Sequence, residues 1–255
     1  MQGIINAVDQ LPAAEQPHIW EPMNEPDILP VYNGNSGDTD TSCNPALEGA
    51  VDGAAKGACD YVIGSQVIHA AAGHLTDTVL AGVFSRPTSS YLADYEALLS
   101  AQLPESRQPD AWSVHDYADV TSSYAGPVRS ALAGFDQALG AVTHGSALDL
   151  WVTEAGTRLV DSFEPGPCPA AWPDPAGSLG ACVNGQPARQ ASAAAGFFDL
   201  PLAGTAVPIT HLFWYEWEGE SSNWDSGLVD DQGHLRVAWC AFYGSGTCTG
   251  SPDAA

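Results

Sequence analysis

Two glutamates, remote from each other in the chain, occupy similar surroundings. Glu25 lies in Trp20-Glu21-Pro22-Met23-Asn24-Glu25-Pro26-Asp27, where a short apolar run gives way to polar residues. Glu154 lies in Trp151-Val152-Thr153-Glu154-Ala155-Gly156, at the exit of a second such run. One protonated carboxyl group can give its proton to a leaving oxygen, and one ionised carboxylate can attack or activate water. Hydrolysis of a glycosidic bond asks for that pair. Alone, Asn-Glu-Pro also fits a helix start, with Asn as cap and the acid favoured by the helix dipole. Alone, Thr-Glu-Ala-Gly also fits a turn. Taken in this order, with Ser113-Val114-His115-Asp116-Tyr117 between them, the two segments read as one acid–base pair.

Such carboxylates need a scaffold that delivers strand ends to a common face. The first 14 residues carry Ile4, Ile5, Val8 and Leu11 at helical spacing before Pro12. His18 to Met23 reads as a short strand, and the polar stretch 27–46 as a loop. Ala46 to Ala72 is Ala-rich and helical, Thr78 to Phe84 is a buried strand, and Tyr91 to Gln102 is an amphipathic helix. Ala111 to Tyr117 is a strand, Ser122 to Leu139 a helix with Gly126-Pro127 near its start, and Leu148 to Thr153 a strand. A Pro- and Gly-rich excursion over 161–187 precedes a helix from Arg189 to Leu200. Ile209 to Trp217 is an aromatic strand, and Leu235 to Tyr243 a closing helix. Apolar strands alternating with helices predict an α/β fold with a parallel sheet covered by helices. No repeat and no linker divides the chain.

Composition excludes several function classes. The 255 residues carry 31 acidic and 7 basic side chains, a formal net charge of −24. Nucleic acid is an unsuitable partner, because phosphates are met by clustered Lys and Arg. An anionic membrane surface would repel the chain, and no apolar run is long enough to span a bilayer. The 8 Trp, 8 Tyr and 7 Phe provide the apolar mass for a sizeable core. The six cysteines fall in three local pairs, Cys43 with Cys59, Cys168 with Cys182 and Cys240 with Cys248. Each pair brackets a loop-like segment, so three disulfides and a secreted, extracellular protein are expected, although six cysteines allow fifteen pairings. The first residues have no basic region followed by an apolar one and do not read as a signal peptide.

The motifs together resemble clan A glycoside hydrolases, retaining (β/α)8 enzymes with catalytic glutamates after strands four and seven. The likeness runs from about His18 to Phe242. Trp-Glu-x-x-Asn-Glu-Pro resembles the strand-four motif, which implies Glu25 as general acid/base and Asn24 as the donor to a sugar 2-hydroxyl. Trp-Val-Thr-Glu-Ala-Gly resembles the strand-seven motif, which implies Glu154 as nucleophile. Ser113 to Tyr117 is similar to strand six, whose His and Tyr reach the cleft; this implies His115 and Tyr117 as substrate-side residues that orient the nucleophile. A satisfied core histidine fits His115 equally well. Tyr117 is the candidate donor that keeps Glu154 ionised. Phe213-Trp214-Tyr215 resembles strand eight, implying Trp214 as the floor under the sugar. Gly227-Leu228-Val229-Asp230 through Ala238-Trp239 resembles the last loop and helix. The resemblance implies a carbohydrate substrate and no cofactor. His69 and His74 read as surface or core residues, Glu216, Glu218 and Glu220 as a solvated acidic rim, and Trp20 and Trp224 as optional sugar contacts.

Motif positions conflict with a whole barrel. Three strand–helix units of about 30 residues each should precede strand four, yet only one helix and one strand fit before Glu25. The expected fold is therefore an incomplete (β/α)8 barrel with five strands, at about 18–23, 79–84, 111–116, 148–153 and 209–216. Residues 1–17 read as the remnant of helix three, with Met1 inside it, and 244–255 as a tail of one partial catalytic domain. On that reading the isolated chain, possessing both glutamates but lacking one cleft wall, is expected to turn over substrate weakly or not at all. A barrel relative that binds carbohydrate without catalysis is the alternative. A metal hydrolase on the same fold is disfavoured because no His-x-His or HExxH ligand set occurs.

Overall fold

The computed structural model describes residues 2–27, 53–85, 87–102, 108–122, 130–142, 148–157, 187–219, 226–229, 233 and 235–243. The elements are α1 (Gln2–Val8), β1 (Ile19–Trp20), α2 (Gly53–Ala70), β2 (Thr78–Phe84), α3 (Ser89–Gln102), β3 (Ala111–His115) and α4 (Tyr117–Ser122). They continue with α5 (Ser130–Leu139), β4 (Asp149–Ala155), α6 (Pro187–Phe197), β5 (Ile209–Trp214) and α7 (Val237–Tyr243). The five strands are parallel and hydrogen-bonded in the order β1-β2-β3-β4-β5. The fold class is α/β, of the (β/α)8 type, incomplete at five strands among the described residues.

The chain packs as two compact units. The first comprises Met1–His115, Gly134–Trp151 and Ala206–Thr210. The second comprises Asp116–Ala133, Val152–Thr205 and His211–Ala255.

In the first unit the apolar runs behave as parallel strands do when both faces are covered. Six of the seven residues of β2 and all five of β3 are buried. Leu80, Ala111 and Trp151, one from each of β2, β3 and β4, pack as one cluster. Beside it, Phe84 meets Tyr91, Tyr95, Trp112 and Phe135 with ring centroids 5.2–6.2 Å apart. Carboxylates fix the strand starts. Asp110 Oδ2 accepts from the Val79 N–H at 2.8 Å, and Asp136 accepts from the N–H groups of Ala206 and Val207 at 3.0 and 2.9 Å, just before β5. Burial pushes the phenols of Tyr61 and Tyr95 well up from the ordinary tyrosine range.

In the second unit Ala194, Leu228 and Ala238 form the centre, with Trp214, Trp239, Ala241 and Phe242 packed against it. Asp119 caps the start of α5, accepting from the N–H groups of Ala131 and Leu132 at 3.1 and 2.9 Å. Arg236 donates to the Gly227 carbonyl at 3.0 Å.

Several expected boundaries move. The strand read over His18–Met23 is confined to Ile19–Trp20, followed by a single bridge between Asn24 and Val83. Pro22 has no N–H to give the ladder, which stops before it. Tyr117, expected on a strand, is the first residue of α4. The helix expected from Ser122 begins at Ser130, and β5 ends at Trp214 rather than Trp217. The loop over 28–46, Gly126-Pro127, the 161–186 excursion, Glu220, Trp224 and the 244–255 tail lie outside the described residues. Cys59 and Cys240 are both disulfide-bonded. The cysteines expected as their partners, Cys43 and Cys248, lie outside the described residues.

Phe84→Ala tests the first unit's packing, because it removes the ring on which four other aromatic side chains converge. Thermal and denaturant unfolding should report a loss of about 3–5 kcal/mol; a loss under about 1 kcal/mol would mean that this cluster does not carry the core.

Candidate active site

In the first unit, Glu25 follows β1 and faces the end of β3. Its Oε1 lies 2.9 Å from His115 Nδ1, with the His115 side chain 1% exposed and that of Glu25 20%. Strand alternation explains the pairing, because Ser113 and His115 point to one face of β3. Ser113 Oγ donates to Glu21 Oε1 at 2.8 Å, so two residues of β3 reach the two glutamates of one segment. Pro26 locks that segment from behind. A β-carbon on Gly57 of α2 would lie 3.1 Å from Pro26 Cβ, and one on Gly82 of β2 would lie 3.4 Å from Pro26 Cγ. The glycines let Pro26 sit down onto both elements. Glu25 itself has φ of 43°, a left-handed conformation that non-glycine residues seldom adopt. Asn24 is exposed beside it.

In the second unit, Glu154 lies within β4, one residue before its end, and is half-buried. The Tyr117 hydroxyl donates to Glu154 Oε2 at 2.7 Å. The backbone makes this contact repeatable, since the Asp116 N–H donates to the Glu154 carbonyl at 2.9 Å and Tyr117 comes next. On the other side of β4, the Tyr215 N–H donates to the Ala155 carbonyl at 2.8 Å. Gly156 is required by that approach: a β-carbon there would stand 2.4 Å from the Tyr215 carbonyl oxygen. The Gly of Thr-Glu-x-Gly is therefore a packing residue. The peptide bond between Tyr215 and Glu216 is cis.

Trp214, expected as the floor under a sugar, is half-buried in the second unit. Its ring packs edge-on against Phe197 and Phe242, with centroids 5.6 and 6.1 Å away, and its indole N–H donates to the Ser226 carbonyl at 2.9 Å. Alternation along β5 turns Trp214 toward helices α6 and α7, and the next residue, Tyr215, to the opposite side. Tyr215 is 36% exposed and meets Tyr117 edge-on at 6.4 Å. The signal for this was in the sequence, in the aromatic residue adjoining Trp214, but the pattern Phe-Trp-Tyr does not say which ring turns inward. Trp20 is likewise committed, buried with its indole N–H on Asp77 Oδ2 at 2.6 Å. Glu218 is exposed and Glu216 half-buried.

No protein-family model matches the sequence, and no curated protein is similar to it. Solved structures are. The chain is similar to a GH128 (subgroup II) endo-β-1,3-glucanase from Sorangium cellulosum, at 15% identity and a TM-score of 0.53, over 94% of this chain and 73% of that one. It is also similar to a thermostable mutant of a xylanase from Cellvibrio japonicus (13% identity, TM-score 0.51, 96% of this chain and 70% of that one). A third likeness is to the catalytic core of a xylanase A (13%, TM-score 0.50, 94% and 68%). These likenesses establish the fold, that of an α/β barrel, in agreement with the one expected from the motifs.

Two glycines separate close approach from open space. Gly156→Ala must displace the β5 backbone and should lower stability by about 1–3 kcal/mol. Gly134→Ala, in α5 with nothing within 4 Å of a new β-carbon, should raise it by about 0.5–1 kcal/mol. Paired thermal unfolding curves check both; equal shifts would contradict the packing described for Gly156.

Proposed function

We propose that the chain is a retaining glycoside hydrolase unit, with Glu25 as general acid/base and Glu154 as nucleophile acting on one O-glycosidic bond. The observation that carries this reading is the pair of hydrogen bonds, His115 to Glu25 and Tyr117 to Glu154. Their two partners, His115 and Tyr117, are separated in the sequence by a single residue. The glycoside hydrolase folds to which the chain is similar support the same reaction class.

Each role follows from its surroundings. Glu154 accepts a hydrogen bond from a neutral hydroxyl, which orients one oxygen and favours the ionised form. Its other oxygen is the one to attack an anomeric carbon and form the covalent glycosyl intermediate. Glu25, enclosed with the buried His115, delivers a proton to the leaving oxygen and recovers it from the water that releases the sugar. Asn24 hydrogen-bonds the 2-hydroxyl. Tyr215 offers an exposed aromatic face to sugar C–H groups beside the half-buried Trp214, the residue expected as the sugar floor. The substrate is an oligo- or polysaccharide. The disulfides at Cys59 and Cys240 support an extracellular location.

Long incubations with β-1,3-glucan, xylan and aryl glycosides, read as reducing ends or released phenol, test the reading. Hydrolysis should fall by at least about 10²–10⁴ in Glu25→Gln and fall as steeply in Glu154→Gln, with oligosaccharide binding retained. Tyr117→Phe should lower kcat by about 10²-fold with little change in KM, as the loss of one oriented donor does. A rate indifferent to both glutamates would overturn the proposal, as would neither hydrolysis nor binding of any of these sugars. Binding without hydrolysis favours the carbohydrate-binding alternative.

A further inference from the structure

Asp77 is the centre of a second polar cluster, at the N-terminal ends of β1 and β2, within the first unit. Its Oδ1 lies 2.8 Å from His18 Nδ1, and its Oδ2 lies 2.5 Å from His74 Nδ1. The remaining nitrogen of His74, Nε2, lies 3.2 Å from Asp9 Oδ1 at the end of α1. The side chains of His74 and Asp77 are 1% and 2% exposed, whereas that of His18 is 58% exposed. One donor atom from each of His18, His74 and Asp77 falls within a sphere of contacts no longer than 4.8 Å. Neither the acid–base pair nor the strand packing uses this arrangement.

We propose that His18, His74 and Asp77 form a zinc-binding site that pins α1, β1 and β2 together. Two imidazole nitrogens and one carboxylate oxygen are a donor set that zinc accepts, with a fourth position left to water on the exposed side of His18. Zinc bonds of about 2.0–2.1 Å hold tetrahedral ligand atoms about 3.3 Å apart. The His18–Asp77 and His74–Asp77 contacts, at 2.8 and 2.5 Å, therefore need to open by about 0.5 and about 0.8 Å. All three donor atoms already lie within 4.8 Å of one another, and the 58% exposed His18 side chain is the one placed to adjust. The outer contacts match those of built metal sites. With Nδ1 of His74 on the metal, its Nε2–H donates to the Asp9 carboxylate, the second partner that fixes a ligating imidazole's tautomer and tilt. The Trp20 indole N–H holds Asp77 Oδ2 in the same way. Metal entry displaces the protons that now bridge the imidazoles and the carboxylate, and releases them to solvent.

The intact chain, freed of metal with a chelator that is then removed, is titrated with zinc chloride by calorimetry and by thermal unfolding. One equivalent should bind, with a rise in unfolding temperature, while calcium and magnesium, which prefer oxygen ligands, should produce no rise. His18→Ala changes an exposed side chain and should keep the parent's circular dichroism while losing the zinc-dependent rise. Asp9→Asn should weaken zinc affinity by about 10–100-fold. Failure to bind a stoichiometric zinc overturns the proposal, and so does a zinc response that survives His18→Ala unchanged. Neither result bears on hydrolysis, so this site stands or falls separately from the acid–base pair.

Discussion

The residue on which the candidate chemistry depends is Asp116, where β3 stops and α4 starts with no loop between. The Asp116 N–H is spent on the Glu154 carbonyl, and Asp116 Oδ1 accepts from the Asp119 N–H at 3.1 Å, which starts the helix. The boundary between the two compact units falls at this same point, between His115 and Asp116. Before it the side chains alternate, so that Ser113 and His115 serve Glu21 and Glu25. After it the helical rotation presents Tyr117 to Glu154. A strand continuing through Tyr117 would have kept Tyr117 on the His115 face, since residues two apart share one side. His115 thus serves Glu25 within the first unit, and Tyr117 serves Glu154 within the second.

The conformation of Glu25 shows what that arrangement costs. A left-handed backbone at a non-glycine residue costs about 1–3 kcal/mol and persists only when its surroundings over-determine it. Here Pro26 is wedged against α2 and β2, the Asn24–Val83 bridge fixes the preceding residue, and His115 holds the carboxylate. Three restraints from three elements act on adjacent residues. Strain supported in this way belongs to a side chain whose direction matters more than its comfort, which fits a residue that must aim a proton.

How much of this was legible in the sequence depended on whether local pattern or distant packing made the decision. Thr78–Phe84 was readable to the residue, because an unbroken apolar run between polar ends has few alternatives. The carboxylates at strand ends and the Tyr117–Glu154 pairing were readable through motif order. The shortness of β1 was less so, since its end is set by Pro22 and by pairing with β2 rather than by hydropathy. The surroundings of Trp214 were less legible, because alternation needs a register. Phe213, Trp214 and Tyr215 are all aromatic, and only the contacts with Phe197 and Phe242 reveal which of them faces the helices. The Gly156 requirement and the Glu25 backbone depend on distant carbonyl and ring positions that no local window contains.

The strongly acidic composition shapes the site as well as the surface. With 31 acidic and 7 basic side chains, few Lys or Arg exist to neutralise carboxylates that folding encloses. Among the described residues, Asp119 and Asp136 are met instead by backbone N–H groups, and Glu154 and Asp77 by hydroxyl, indole and imidazole donors. At Asp77 burial alone would raise the carboxyl group's pKa, but the hydrogen bonds from Trp20, His74 and His18 together hold it below the ordinary value. The same solution has a chemical consequence at Glu154. An arginine fork would occupy both carboxylate oxygens and cancel their charge. The Tyr117 phenol hydroxyl orients one oxygen through a neutral dipole and leaves the charge on the group, the condition that the nucleophile role proposed for Glu154 requires.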